Sequence, residues 1–394
     1  MREYGNRINL VICQKSKVQD WVEHFVKHYS MVVRIYNLTN KESAELFWAD
    51  VARWESRRST PRVAVINYEL AWRRKDLLTL KDFTLMLDES SLIQNRTAKQ
   101  TKFILKMKPK NVILLSGTPT AGKYENLWTQ CHLLGWDITE DLYNRQYVNW
   151  KTIETDGFFH KIVDKENPYK NVERLKQKLR QHGADFVKTE EVFDLPEQTF
   201  ANVYVPTTKE YRKFIKTGYV QMPDGTELIG DQIFTKRLRA RQLCGAYNKD
   251  KIEAFRELIQ STNDRVIVFY NFHAELEAME AMLHDLERPA SVVNGTIKNL
   301  EAYNKYDNSI TFIQYQAGSM GLNLQRGNKI IYFSLPERSD LFEQSKARIH
   351  RIGQERPCFY WVLMCRKSVE EAIYKTLQER KDFTDELFVE GCEA

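Results

Sequence analysis

Metal-binding cysteine spacing is missing from this sequence. The six cysteines, Cys13, Cys131, Cys244, Cys358, Cys365 and Cys392, are scattered, with no CxxC pair. That excludes a zinc framework or a disulfide scaffold, and the thiols read as reduced groups of a cytoplasmic protein. Long apolar runs are missing too. Charge interrupts every one well before the roughly 20 residues that a bilayer span needs, so no membrane partner is expected. The opening MREYGNRINLVICQK has no long apolar core ahead of a small-residue cleavage site, as a secretory signal would have. Glycine (16) and proline (10) are too sparse for a collagen-like or low-complexity chain, and no internal repeat occurs. Nor does charge of one sign dominate. Lysine and arginine number 59 against 53 acids, a net +6 that permits nucleic-acid binding without demonstrating it. The clusters Arg57-Arg58, Arg73-Arg74-Lys75 and Lys236-Arg237-Arg239-Arg241 read as solvated faces unless other features put them on a phosphate track.

What is present is a folded chain. Its 394 residues, 42% of them hydrophobic, amount to two or three domains of about 150 residues each. Short branched runs recur: INLVIC, RVAVINY, FTLML and NVILLSG early, then RVIVFYN, ITFIQY and KIIYFSL, with helix-period stretches such as VQDWVEHFVKHY between them. Buried strands alternating with helices define an α/β chain with parallel sheets. The strands fall into two groups, about 8–120 and 200–370. Residues 138–183 are polar, aromatic and without strong strands, which predicts a helical insertion over about 122–185. KEYRKFIK and DQIFTKRLRARQL predict a second one over about 207–250.

Chemistry concentrates at the strand ends. FTLML closes on Asp88-Glu89-Ser90. Ligands collect at the carboxyl ends of strands in open α/β sheets, where Asp88 could face Mg²⁺ and Glu89 could act on an attacking water. Two acids after a strand are more often a solvated turn or helix cap. The next strand breaks into Ser116-Gly117-Thr118-Pro119. Its hydroxyl and backbone donors suit a phosphate, with a plain turn as the competing reading. In the second group, QAGSMGLNL puts Gly318 and Gly321 where backbone must approach a ligand. Further on, QSKARIHRIGQ carries Arg348 and Arg351, three apart and so on one face of a helix. Two guanidinium forks suit charge developing on a transferred phosphoryl group. An isolated RxxR is more often a surface ion pair.

Taken in order, LMLDES, LLSGTP, QAGSMGLNL and QSKARIHRIGQ resemble motifs II, III, V and VI of the Swi/Snf-type superfamily-two helicases, the duplex-DNA translocases. The last is the most specific, because that family is recognised by an Arg-x-His-Arg-Ile-Gly-Gln signature. The likeness covers almost the whole chain. NLVICQKSKVQDWVEHF is similar to motif Ia, VAVINYEL to a later element of the first lobe, and SLIQN to the continuation of the acidic motif. VFDLPEQ is similar to the crossover between lobes, RVIVFYNF to motif IV and VVNGTI to the strand after it.

The resemblance implies two RecA-like lobes with parallel sheets flanked by helices, over residues 1–200 and 201–394, with ATP between them and duplex DNA across both. It implies that Asp88 and Glu89 bind Mg²⁺ and activate water, and that Ser116, Gly117 and Thr118 couple nucleotide state to DNA grip. Gly318, Gly321 and Asn323 would lie near nucleotide and DNA, and Arg348 and Arg351 would be arginine fingers oriented by Gln344 and Gln354. Lys15, Asn67, Asn271 and Asn294 would face the DNA. Contact with phosphates alone makes affinity fall steeply with salt. With no reader domain attached, the chain is similar to compact bacterial or phage-type members rather than to chromatin remodellers.

One element departs from the family pattern. No glycine-rich loop ending in Gly-Lys-Thr is present: Gly122-Lys123 follows motif III and lacks the threonine, and Asn294-Gly295-Thr296 belongs to the second lobe. Such a loop wraps the β- and γ-phosphates, and its loss would cost ~10²–10³-fold in rate or more. The first lobe is therefore expected to be N-terminally incomplete, its sheet short of an interior strand, with exposed apolar neighbours that another polypeptide could complete. A truncated motor is favoured over an inactive form, because Asp88, Glu89, Arg348 and Arg351 are all kept. The alternative is a non-catalytic DNA-binding or assembly subunit that retains the two-lobe clamp. An RNA-unwinding enzyme of the same superfamily fits RIHRIGQ less well.

Overall fold

All seven apolar runs become strands in the computed structural model, which describes residues 7–52, 60–155, 158–185, 193–318 and 322–388. The chain divides into two units, residues 1–186 with 383–394, and residues 187–382.

In the first unit β1 (Ile8–Cys13), β2 (Arg34–Asn37), β3 (Arg62–Asn67), β4 (Phe83–Asp88) and β5 (Asn111–Leu115) form a parallel sheet in the order β2-β3-β1-β4-β5. Side chains alternate across it. Ile8, Leu10 and Ile12 enter a core with Phe47 and Phe103, while Val11 and Cys13 face Val18 and Phe25. Burial on both faces is why these strands read as unbroken hydrophobic runs. The five strands are contiguous, so there is no interior gap. The exposed apolar strand is β5 at the edge, where Leu115 is 40% exposed and no described residue pairs with the side away from β4.

Asp50, near the end of helix Lys41–Ala52, ties that helix to the sheet. It accepts from Arg62 Nε (2.6 Å), Tyr36 Oη (2.8 Å) and Arg34 Nη1 (2.8 Å). The hydrogen bond from Arg62 is the main cause that holds its carboxyl down at about 2. A depressed carboxylate contributes stability above its unfolded value near 3.8 and loses it as pH falls through its folded value. The first unit should therefore lose at most about 2.5 kcal/mol between pH of about 4 and 2. Asp50→Asn should flatten that part of the acid unfolding curve.

The region around 122–185 corrects the helical expectation. Between helices Glu140–Tyr147 and Val172–Gln181 lies an antiparallel hairpin, β6 (Trp150–Thr155) and β7 (Phe158–Val163). The alternation in WKTIET and the Asp156-Gly157 dipeptide carried that signal.

In the second unit β8 (Gln198–Val205) is followed by a hairpin, β9 (Tyr219–Gln221) and β10 (Glu227–Ile229), set between helices Lys209–Thr217 and Ile233–Cys244. The second insertion is thus also mixed rather than helical. Its turn, Pro223-Asp224-Gly225, uses the positive φ of Gly225 (86°). Then come β11 (Val266–Tyr270), β12 (Ala290–Val293), β13 (Ile310–Gln314), β14 (Lys329–Tyr332) and β15 (Cys358–Cys365). The sheet runs β12-β13-β11-β14-β15-β8, all parallel. Residue 200 falls inside β8, so the division between the units lies ahead of it.

Candidate functional site

A parallel sheet brings every strand's carboxyl end to one edge. In the first unit that edge carries Lys15 after β1, Asn67 at the end of β3, Asp88 at the end of β4 and Ser116 after β5. Lys15 is exposed in a short 3-10 turn. Asn67 is buried and donates to Glu69 Oε2 (2.6 Å).

Asp88 is held twice. Trp21 Nε1 donates to its Oδ2 (2.8 Å), and the Tyr68 hydroxyl donates to its backbone oxygen (2.9 Å). Among the described residues its Oδ1 receives no hydrogen bond. The chain then turns sharply through Glu89, whose φ is +55°. A left-handed glutamate is a strained conformation of the kind that clusters at active sites. Beside them, burial and then the charge of Asp88 push the Cys13 thiol up to about 12, so it stays protonated.

The acidic turn is braced against the Ser116–Pro119 loop by two glutamines that motif reasoning did not single out. Ser90 Oγ donates to Gln130 Oε1 (2.9 Å), and Gln130 Nε2 donates to Pro119 O (2.7 Å). Gln94 Nε2 reaches the same carbonyl at 2.9 Å. Within the loop, Thr118 N donates to Ser116 Oγ (3.1 Å). Gln94 lies in the SLIQN segment, whereas Gln130 sits on a helix with nothing in the sequence to mark it.

In the second unit the carboxyl edge carries Asn271 after β11, Asn294 after β12 and the one-turn helix Tyr315–Gly318 after β13. Asn271 Nδ2 donates to Ser334 Oγ (2.8 Å) and Leu335 O (3.0 Å), linking the ends of β11 and β14. Asn294 is buried, and its Oδ1 accepts from Thr296 N (2.9 Å) and Ile297 N (2.7 Å), shaping its own turn. Gly321 lies outside the described residues.

Arg348 and Arg351 do not share a helical face. The helix Ser339–Lys346, which contains Gln344, ends first, and both arginines occupy the turn beyond it. Leu324 N donates to Arg348 O (3.1 Å), and Gly353 turns the chain with φ +92° at the end of this segment. The Arg351 guanidinium donates to Asn323 Oδ1. Gln354 Nε2 donates to Gln325 O (3.1 Å), Gly327 O (2.9 Å) and Ile349 O (3.2 Å). That side chain therefore locks the 322–327 loop and the 347–354 turn into one piece, with both guanidinium groups on it.

Among the described residues one other cluster offers ligand atoms: Cys244, Cys365 and Glu370, all buried. Its carboxylate already has an ammonium partner. Lys251 Nζ donates to Glu370 Oε1 (2.5 Å), Cys365 N to Glu370 Oε2 (2.9 Å), and the Cys365 thiol to Cys244 O (3.5 Å). Burial pulls the Lys251 ammonium down, but Glu370 beside it outweighs that and keeps it above its ordinary value.

Among the described residues no helix is long and apolar enough to cross a membrane. Two family models match the chain, the SNF2-related domain over residues 2–253 and the helicase conserved C-terminal domain over residues 250–353. A Mycoplasma pneumoniae protein described as an uncharacterized ATP-dependent helicase is 21% identical, over 99% of this chain and 38% of its own length. A Bacillus subtilis protein given the name of an ATP-dependent helicase/translocase, YwqA, is 24% identical over 77% of this chain and 35% of its own. The chain thus spans little over a third of the length of these relatives. A Sulfolobus solfataricus SWI2/SNF2 ATPase core solved with double-stranded DNA overlays at a TM-score of 0.41, with 18% identity, over 98% of this chain and 83% of that one. With the SNF2-related model matching 252 of 394 residues, from 2 to 253, the chain belongs to the SNF2-related family.

Proposed function

We propose that this chain is the core of a motor that hydrolyses ATP with Mg²⁺ and moves along duplex DNA. The observation that carries it is the Asp88–Glu89 pair at the carboxyl end of β4, one acid held by two donors and the other in a strained turn. The donor set suits Mg²⁺, a hard cation that takes carboxylate oxygens, because Oδ1 of Asp88 carries no hydrogen bond from the described residues. When bound, that ion neutralises charge on the phosphate oxygens. Asp88, with Glu89 beside it, holds the ion. Glu89 also accepts a proton from the attacking water. Arg348 and Arg351 stabilise charge on the phosphoryl group, on a turn fixed by Gln354. Gly318, Gly321, Asn323 and Gln344 complete the nucleotide side, and Ser116, Gly117 and Thr118 transmit its state. Lys15 and Asn67 mark the carboxyl edge of the first sheet, and Asn271 and Asn294 that of the second, as the edges that meet DNA phosphates, with the chain working in the cytoplasm. The names of the relatives support this reading.

The phosphate-wrapping loop is not among these residues. We propose that it arrives on a strand added beside β5, whose side away from β4 pairs with no described residue, carried by a polypeptide segment outside them. An apolar edge strand without charge or proline to blunt it is a template for such pairing. That the loop is not among these residues also favours the second reading, a clamp that binds DNA without hydrolysis.

ATP turnover measured with and without duplex DNA, alongside DNA binding at two salt concentrations, separates the readings. Stimulation by duplex supports the motor. Salt-sensitive binding without turnover supports the clamp, and absence of both defeats the two together.

A further inference from the structure

Two aromatic donors from opposite faces of one sheet converge on a single residue, one on the carboxylate of Asp88 and one on its backbone carbonyl. Trp21 sits in the first turns of helix Val18–Tyr29, on the face that carries Val11 and Val65, and its ring stacks on Phe25 at 5.6 Å between centroids. Tyr68 opens the short helix after β3 and belongs to the core on the other face, where it is 1% exposed. Their only polar groups, one N–H and one O–H, both end on Asp88. The half-buried indole N–H finds its acceptor in the Asp88 carboxylate, and the buried Tyr68 hydroxyl finds its own in the Asp88 backbone carbonyl.

We infer that Trp21 is a positioning residue for Asp88, with Tyr68 as its backbone anchor; this rests on the metal-binding reading of Asp88. The indole N–H occupies Oδ2 and fixes the rotation of the carboxylate, which leaves Oδ1 presented to a divalent cation. Tyr68 pins the carbonyl just ahead of Glu89, where the chain enters its left-handed turn. A ligand carboxylate that is itself hydrogen-bonded has less freedom to lose when it takes the ion, and removing such a partner typically lowers affinity about 10–100-fold.

The test is a Mn²⁺ titration of the full chain followed by electron paramagnetic resonance, beside thermal melts. Trp21→Phe keeps an aromatic ring against Phe25 and removes the N–H. Benzothienylalanine at position 21 keeps the bicyclic shape as well, and decides the matter if the phenylalanine variant fails to fold. Asp88→Asn is the control for the site. The expected result is a loss of Mn²⁺ affinity of about 10-fold or more in both position-21 variants, with melting unchanged, and loss of the bound signal in Asp88→Asn. Wild-type affinity at position 21 alongside a lost signal in Asp88→Asn overturns the positioning role and leaves the metal reading standing. Wild-type binding by Asp88→Asn, or no Mn²⁺ bound by the unmodified chain, overturns both.

Discussion

Lys251→Met should destabilise the second unit by about 3–5 kcal/mol. Lys251 is fully buried and Glu370 is 3% exposed, and their contact at 2.5 Å joins helix Lys249–Gln260 to the start of the final helix. Methionine matches the length of the lysine stem, so packing against Phe333 changes little. What changes is that Glu370 is left charged in the interior, with the Cys365 N–H as its remaining hydrogen bond among the described residues. Because the chain has two units, one global unfolding curve would mix them. Hydrogen exchange on β11 and β15 reads the second unit by itself. Pairing Lys251→Met with Glu370→Met removes both charges and should recover more than half of the loss, since an apolar pair of similar volume often replaces a buried ion pair without cost. No recovery in the double variant would show that the ammonium does more than neutralise Glu370.

Glu89→Gln should lower DNA-stimulated ATP turnover by about 10²-fold or more, the range found when a general base is removed. Duplex affinity should stay within about twofold. Glutamine keeps the shape of the side chain and tolerates the same turn, but cannot take a proton from water. Rate and DNA binding are measured on one preparation, so a folding defect would lower both. Turnover equal to the parent would refute the role given to Glu89.

The parts of the molecule that were legible from sequence share a physical origin. Parallel strands buried on both faces leave long branched runs, and β1, β3, β4, β5, β11, β13 and β14 were visible for that reason. β2 was not, because RIYN is a short edge strand with polar residues at both ends. β15 was not singled out, although CFYWVLMC is as apolar as the others. The two hairpins were lost to a helical reading. Two-stranded ribbons on a surface follow turn chemistry and not the length of an apolar run, and the sequence carries an Asp-Gly dipeptide between the two strands of each. The arginine turn is not legible as a turn because three-residue spacing says nothing about where a helix stops, and this one ends at Lys346, ahead of both arginines.

By itself the sequence determined the α/β class and where chemistry would gather. Alternating strands and helices impose parallel sheets, and parallel sheets place all their carboxyl ends, with Asp88, Glu89 and Ser116 among them, along one edge. Tertiary structure alone decided which groups hold those residues. Trp21 meets Asp88 across 67 positions, Ser90 meets Gln130 across 40 and Lys251 meets Glu370 across 119. A hydrogen bond needs its two atoms within about 3 Å, and over such separations that distance is set by sheet register and helix packing, which no local pattern encodes.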